Sequence, residues 1–293
     1  VVCSMGGAAR RVALVAFVVL LLVLPSAAWG PYTHQLMGCS MVTRGPAGSA
    51  CLQSNETSAF VMGNSSPDAV KSLGLHSYQF AGALFLYAQS LMPNGANGLP
   101  VRVDGDGVDA FDFPTAAVAF AAGFGAHMGE DTVGHHNDGY LTPEYDHPLE
   151  FAVDTYEYKN YSGRYQFQDL ASTDWAMQLI ADASASPFAN GTVVVSFDDV
   201  QQSASDFQDT TDLEGLLIPF NVLYEDEMVR WDNYGAVNWT EAESHYYHSK
   251  KWCLYTAATW IDTILTTGNA EHAEQAANGA ANYLFENYFP FYS

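Results

Sequence analysis

Basic residues are scarce in this chain: Lys and Arg total 10 against 33 Asp and Glu, a formal net charge of -23 over 293 residues. A field of that sign repels polyanions and argues against a protein that tracks long nucleic acid, so no stable nucleic-acid partner is expected. Metal cations in a cleft would reverse the sign locally. A long apolar run is missing as well. The stretch 12–24 is uninterrupted but only thirteen residues long, too short to span a bilayer comfortably. The segment 93–112 contains Asp104-Gly105-Asp106-Gly107 but lacks the remaining ligands and the closing Glu of an EF-hand, which leaves a solvated loop.

What is present indicates a folded, exported protein. Hydrophobic residues make up 48% and aromatics 14%, enough for a packed core in one large domain or two small ones. Arg10 and Arg11 precede the apolar run, and Pro25-Ser26-Ala27-Ala28 follows it. That order of charge, apolar stretch and small residues reads as a secretory signal over 1–28 with cleavage after Ala28; a retained signal anchor is the competing reading. Localisation to the secreted fraction or the secretory-pathway lumen is expected. Sequons begin at Asn55, Asn64, Asn160, Asn190 and Asn238, as on glycosylated surface loops. Cys39 and Cys51 are close enough in sequence to bridge, leaving Cys253 as a buried thiol within a helical apolar pattern.

The periodicity predicts an all-α fold. Helices are expected over 75–90 with His76 in the first turn, from Pro114 through 134, from Pro148, and over 175–183, 213–231, 241–265 and 270–288, with a short extended piece at 193–197. In the second of these, Ala117, Phe120 and Phe124 step at i, i+3, i+7, and the same face continues as His127, Asp131 and His135. Two imidazoles and a carboxylate on a core face cost several kcal/mol unless something neutralises them. A zinc ion would do so, because it takes His nitrogen and Asp oxygen and i,i+4 spacing aims the side chains at one point. A hydrogen-bonded His–Asp pair, or solvent exposure near Gly134, is the plainer alternative. His245 and His248 read as surface or cleft-edge residues without an acid beside them, and 285–292 as an aromatic segment packed over the core.

Cleavage after Ala28 would expose Trp29-Gly30 as a new N-terminus with His34 five residues on. With Asp68 in Ser66-Pro67-Asp68, His76 in Leu75-His76-Ser77, and His127-Met128 followed by Asp131 and His135, this order resembles the zinc-dependent phospholipase C family. It is most similar to the catalytic domain of glycosylphosphatidylinositol-specific phospholipase D, and more distantly similar to the single-strand-specific acid nucleases. The likeness covers 29–154; the repeat-built propeller of the phospholipase D has no counterpart here. The resemblance implies a multi-helix catalytic domain over 29–293 with three zinc ions. One would be held by Asp68, His76, His127 and Asp131, one by His135, His147 and Glu150, and one by Trp29, His34 and Asp131. His136 is the alternative to His135. The chain departs from the family in placing Glu150 three residues after His147, whereas Asp146 to Glu150 is i,i+4; Glu150 otherwise caps its own helix. The implied activity is hydrolysis of phospholipid or glycosylphosphatidylinositol headgroups during transient contact with a membrane surface, with Asp68 orienting or deprotonating the attacking water. A nuclease or nucleotidase on the same scaffold, or a secreted protein with purely structural metals, are the alternatives.

Overall fold

The computed structural model describes residues 29–42, 54–92, 101–103, 110–136, 139–141, 146–160 and 167–288, apart from the side chains of 101–103, 110, 112, 146 and 147. Among the described residues there are eleven α-helices. In chain order they are α1 (Pro31–Val42), α2 (Asn55–Gly63), α3 (Ser66–Ala69), α4 (Tyr78–Ser90), α5 (Ala116–Gly134), α6 (Asp146–Asn160), α7 (Asp174–Ser184), α8 (Phe197–Leu217), α9 (Tyr224–Trp231), α10 (Trp239–Thr267) and α11 (Ala270–Tyr288). The all-α expectation holds, with one addition. Strands β1 (Val101–Val103) and β2 (Ala110–Asp112) pair antiparallel, Arg102 opposite Phe111, inside the segment read from sequence as loop alone. The paired residues lie only seven to eleven positions apart, but three-residue strands are too short to leave a period in the sequence.

Helix α5 is the centre of the molecule. Thr115 caps it by accepting from the Val118 amide at 3.2 Å, so the helix begins just after Pro114 rather than on it. From Val118 through Asp131 every residue is buried. A helix that is apolar on all faces must be surrounded, and α2, α4 and α10 pack around this one. The crossing with α2 is backbone on backbone: a Cβ at Gly63 would lie 2.1 Å from the Phe120 carbonyl oxygen, and one at Gly123 would lie 2.1 Å from that of Phe60. The paired glycines let the two helices touch, which brings Asn64 against the His127 turn.

A second aromatic core closes over the C-terminal end of α5. Trp29 is fully buried there, 6.0 Å from Tyr140 and 5.8 Å from Tyr246 between ring centroids. From Trp29 the chain turns into α1, whose first turn is held by α6. The Asp154 carboxylate accepts from the Tyr32 amide at 3.1 Å, the Thr33 amide at 2.9 Å and the Thr33 hydroxyl at 2.5 Å. Further along α1, Cys39 is disulfide-bonded to a partner outside the described residues, and Cys253 is a free buried thiol as its pattern suggested.

Three boundaries differ from the sequence reading for identifiable reasons. Ser77 caps α4 by accepting from the Phe80 amide, so His76 precedes the helix instead of sitting in its first turn. The expected helix over 213–231 is two helices. Ser196 and Asp199 form a capping box that starts α8 at Phe197, and Pro219 lies in a 3-10 turn (Ile218–Phe220) that ends it before α9. Residues 193–196 lead into that cap without forming a strand.

Candidate metal centre

Four segments deliver side chains to one buried point. Asp154 fixes the start of α1 and so places His34 on its first turn. Pro67 opens the short α3 that carries Asp68. His76 sits just before the Ser77 cap of α4. His127 and Asp131 project from successive turns of α5.

The nitrogens and oxygens crowd around one point. His127 Nε2 lies 3.2 Å from Asp131 Oδ2 and 3.7 Å from Asp68 Oδ1. His76 Nε2 lies 3.0 Å from Asp131 Oδ2, 3.6 Å from Asp68 Oδ1 and 3.0 Å from His127 Nε2. His34 Nε2 is 3.4 Å from Asp131 Oδ1. Both carboxylate oxygens of Asp68, both of Asp131 and His34 Nε2 are nonetheless buried without a hydrogen-bond partner. Donors held about 2.0–2.2 Å from a tetrahedral ion stand roughly 3.3–3.6 Å from one another, and the separations here, 3.0–3.7 Å, bracket that range. Orphaned donor atoms at that mutual distance fit a cation. Two triads qualify among the described residues, His34–Asp68–His127 and His76–His127–Asp131, with His127 common to both. The buried His and Asp groups can therefore hold a metal ion.

No family model, curated protein or solved structure matches the chain.

The imidazoles are oriented from behind. His127 donates Nδ1–H to the Asn64 carbonyl at 2.8 Å, which fixes the tautomer with Nε2 facing the cluster. His34 Nδ1 meets Glu130 Oε2 at 2.7 Å, and the Asn64 side-chain amide donates to Glu130 Oε1 at 2.9 Å and to the His34 carbonyl at 2.7 Å. Outer groups of this kind are the usual support of metal-bound histidines. Electrostatics agree. Burial pushes the His34 imidazolium down, but Asp131 and Glu130 outweigh it and hold its pKa up at about 10. At His76 burial is likewise overcome by Asp131 and Asp68, giving about 9. Burial raises Asp68 and Asp131, yet the neighbouring imidazoles, His127 foremost, bring both below the ordinary carboxylate value. Glu130 is raised by burial despite His34 and Asn64.

Of the residues singled out from sequence, His34, Asp68, His76, His127 and Asp131 come together. Asp131 turns one oxygen toward His34 and the other toward His76 and His127, the disposition expected of a shared ligand. Trp29 is buried five residues before His34. His135 is not gathered with these donors: α5 ends at Gly134, and His135 stands exposed as its C-cap, so the i,i+4 row stops with the helix. His136, the alternative, stacks on Phe285 with centroids 4.0 Å apart and meets Asn282 Oδ1 at 3.1 Å. Glu150 is buried on α6, and the side chain of His147 lies outside the described residues, as does 289–292 of the aromatic C-terminal segment.

Two residues that brace the donors, Glu130 and Asn64, escaped the sequence reading, and one other, His245, was misplaced. Glu130 is fully buried next to Asp131, where a second acid in an apolar helix was the available signal. Asn64 was read as a surface sequon, but it is fully buried and both amide donations are committed within the site. His245 is not a surface residue lacking an acid: it is buried and its Nδ1 lies 2.6 Å from Asp232 Oδ2. Asp232 comes from the turn after α9, thirteen residues away, beyond the reach of helical spacing.

Beside the donors opens a cleft of about 410 Å³. Asp68 lines it together with Lys71 and Ser72 on one wall and Ser203, Asp206 and Phe207 of α8 on the other. A candidate ligand of the cluster thus borders a space that a small group can enter.

Proposed function

We propose that this chain is a secreted zinc-dependent phosphodiesterase that hydrolyses phospholipid or glycosylphosphatidylinositol headgroups. The observation that supports the reading best is the convergence of His34, Asp68, His76, His127 and Asp131, with orphaned buried atoms on His34, Asp68 and Asp131 and with Asp68 lining the neighbouring cleft. The order of those residues in the chain resembles the zinc-dependent phospholipase C family, and Trp29, His135, His147 and Glu150 are carried over from that resemblance as ligands of further ions. When bound, a divalent ion neutralises charge on a phosphodiester and brings the pKa of a water near neutrality.

The protein's own residues supply the rest. The Asn64 carbonyl and the Glu130 carboxylate hold the rings of His127 and His34 so that Nε2 faces inward. Asp68 lines the cleft, and in this reading it would orient the attacking water and accept its proton. Lys71 sets one positive charge in the cleft wall beside Asp68 and Asp206, where it would meet an anionic diester once a metal offsets the carboxylates.

Secreted, metal-loaded protein would be offered labelled phosphatidylcholine and single-stranded DNA side by side. Lipid cleavage that is lost in His127→Ala and after chelation is the expected result. Cleavage of DNA alone would replace the proposal with a nuclease, and full metal occupancy with neither substrate consumed would leave a structural metal protein.

A further inference from the structure

The wall of the cleft formed by α8 does not end at the cleft. Asp206 and Thr210 line it, and the same side of the helix continues three residues on to Leu213, then Leu216, then Phe220 in the 3-10 turn. Val222 and Leu223 follow before α9. All five are exposed, Phe220 at 78% and Val222 at 81%. Side chains that bare stand on a convex tip and cannot be lining a groove. A soluble surface ordinarily scatters its apolar residues singly, whereas here five fall within eleven positions of one turn.

The base of the tip carries cations set on aromatic rings. Lys159 donates to the Asn221 carbonyl inside the turn and lies 4.2 Å from the Tyr224 ring centroid. Tyr224 packs on Trp239, and Arg230 lies 4.4 Å from the Trp231 ring centroid. Aliphatic residues outermost, with aromatics and snorkelling cations behind them, match the layering of a bilayer: acyl chains, then the interfacial zone, then headgroup phosphates. Asp209, Asp212, Glu225 and Asp226 are exposed around this tip and would repel an anionic leaflet.

We infer that the turn joining α8 to α9 is a docking surface for a zwitterionic lipid bilayer, inserting Leu216, Phe220 and Val222 and presenting the cleft beside Asp68 to the headgroup layer. The surface stands on its own geometry; its coupling to the cleft rests on the lipid-headgroup reading above.

The test uses the full metal-loaded protein, phosphatidylcholine vesicles, and a soluble diester, bis(p-nitrophenyl) phosphate. Leu216→Asp/Phe220→Asp/Val222→Asp is expected to cut vesicle co-sedimentation at least tenfold. Its metal content and its turnover of the soluble diester should equal those of the parent protein. A parent protein that fails to sediment with vesicles, or a triple variant that sediments as well as its parent, overturns the surface. A parent that is dimeric by light scattering and becomes monomeric in the variant overturns it too, in favour of a second copy of this chain. Vesicle binding without hydrolysis of any diester would keep the surface and remove the enzymatic reading, so the two failures are separable.

Discussion

At the scale of single residues, Glu130 sets the quality of the site while standing one shell behind it. It is buried, accepts from His34 and receives the Asn64 amide. Glu130→Ala leaves two buried donors without partners and frees the His34 ring to rotate, so metal affinity should fall about 10–100-fold. Glu130→Gln keeps an acceptor in place and should lose less. Competition titration against a chromophoric chelator measures both, and an alanine variant within twofold of the parent would deny Glu130 any positioning role. His127 and Asp131 were legible from sequence because i,i+4 spacing on α5 ties them together, whereas His34, Asp68 and His76 were named only through the family resemblance. Glu130 and Asn64 were not legible, since their partners lie 96 and 66 positions apart in pairs that no local period links.

At the scale of elements, the contact of α2 with α5 decides whether the donors meet. Gly123→Ala would place a methyl group 2.1 Å from the Phe60 carbonyl and 3.1 Å from the Asn64 amide, both of them backbone that cannot swing aside. The expected cost is at least about 1–3 kcal/mol by denaturant unfolding, with loss of bound metal, because Asn64 moves away from His127. Gly279→Ala on exposed α11 is the control. Its added methyl meets nothing within 4 Å, and it should stabilise by about 0.5–1 kcal/mol. Equal effects at the two sites would mean that the crossing is not what holds the site together. Helix existence was readable for α4, α5, α7, α10 and α11, the last down to both ends, because apolar period and length carry it; α1, α2 and α3 were not singled out. The division of 197–231 into two helices turned on the cap at Ser196 and the break at Pro219, and the long run of acids and glutamines between them hides the apolar face of α8.

At the scale of the whole molecule, the buried charges link stability to pH and to metal. His34 and His76 have folded pKa values raised from 6.5 to about 10 and about 9. Such groups contribute stability that is complete below 6.5 and lost as pH climbs through the folded values. Asp154, raised by burial from 3.8 to about 7 against its bonds to Thr33, acts in the same sense over its own lower window. Asp68 and Asp131 are shifted down, so their contribution fails only in acid, below the ordinary carboxylate value. Metal-free protein should therefore melt at steadily lower temperature from pH 6.5 to 10. A metal ion needs the same imidazoles deprotonated, so its stabilisation grows across that interval. The gap in Tm between loaded and chelated protein should widen with rising pH; a constant gap would show that protons and metal do not share these ligands.

The sequence by itself determined that the chain folds, that it folds as helices, and that one helix carries donor atoms on a buried face, because periodicity and composition are local properties. Only the tertiary structure decided which of the candidate ligands among the described residues meet. It brought His34, Asp68 and His76 to His127 and Asp131, left His135 exposed beyond the end of α5, turned a sequon into a buried brace, and set an apolar tip at the end of a cleft wall. Those outcomes depend on where helices cross, and the crossings are fixed by glycine contacts, caps and buried carboxylates acting across 60 to 120 residues, a range over which spacing along the chain carries no information.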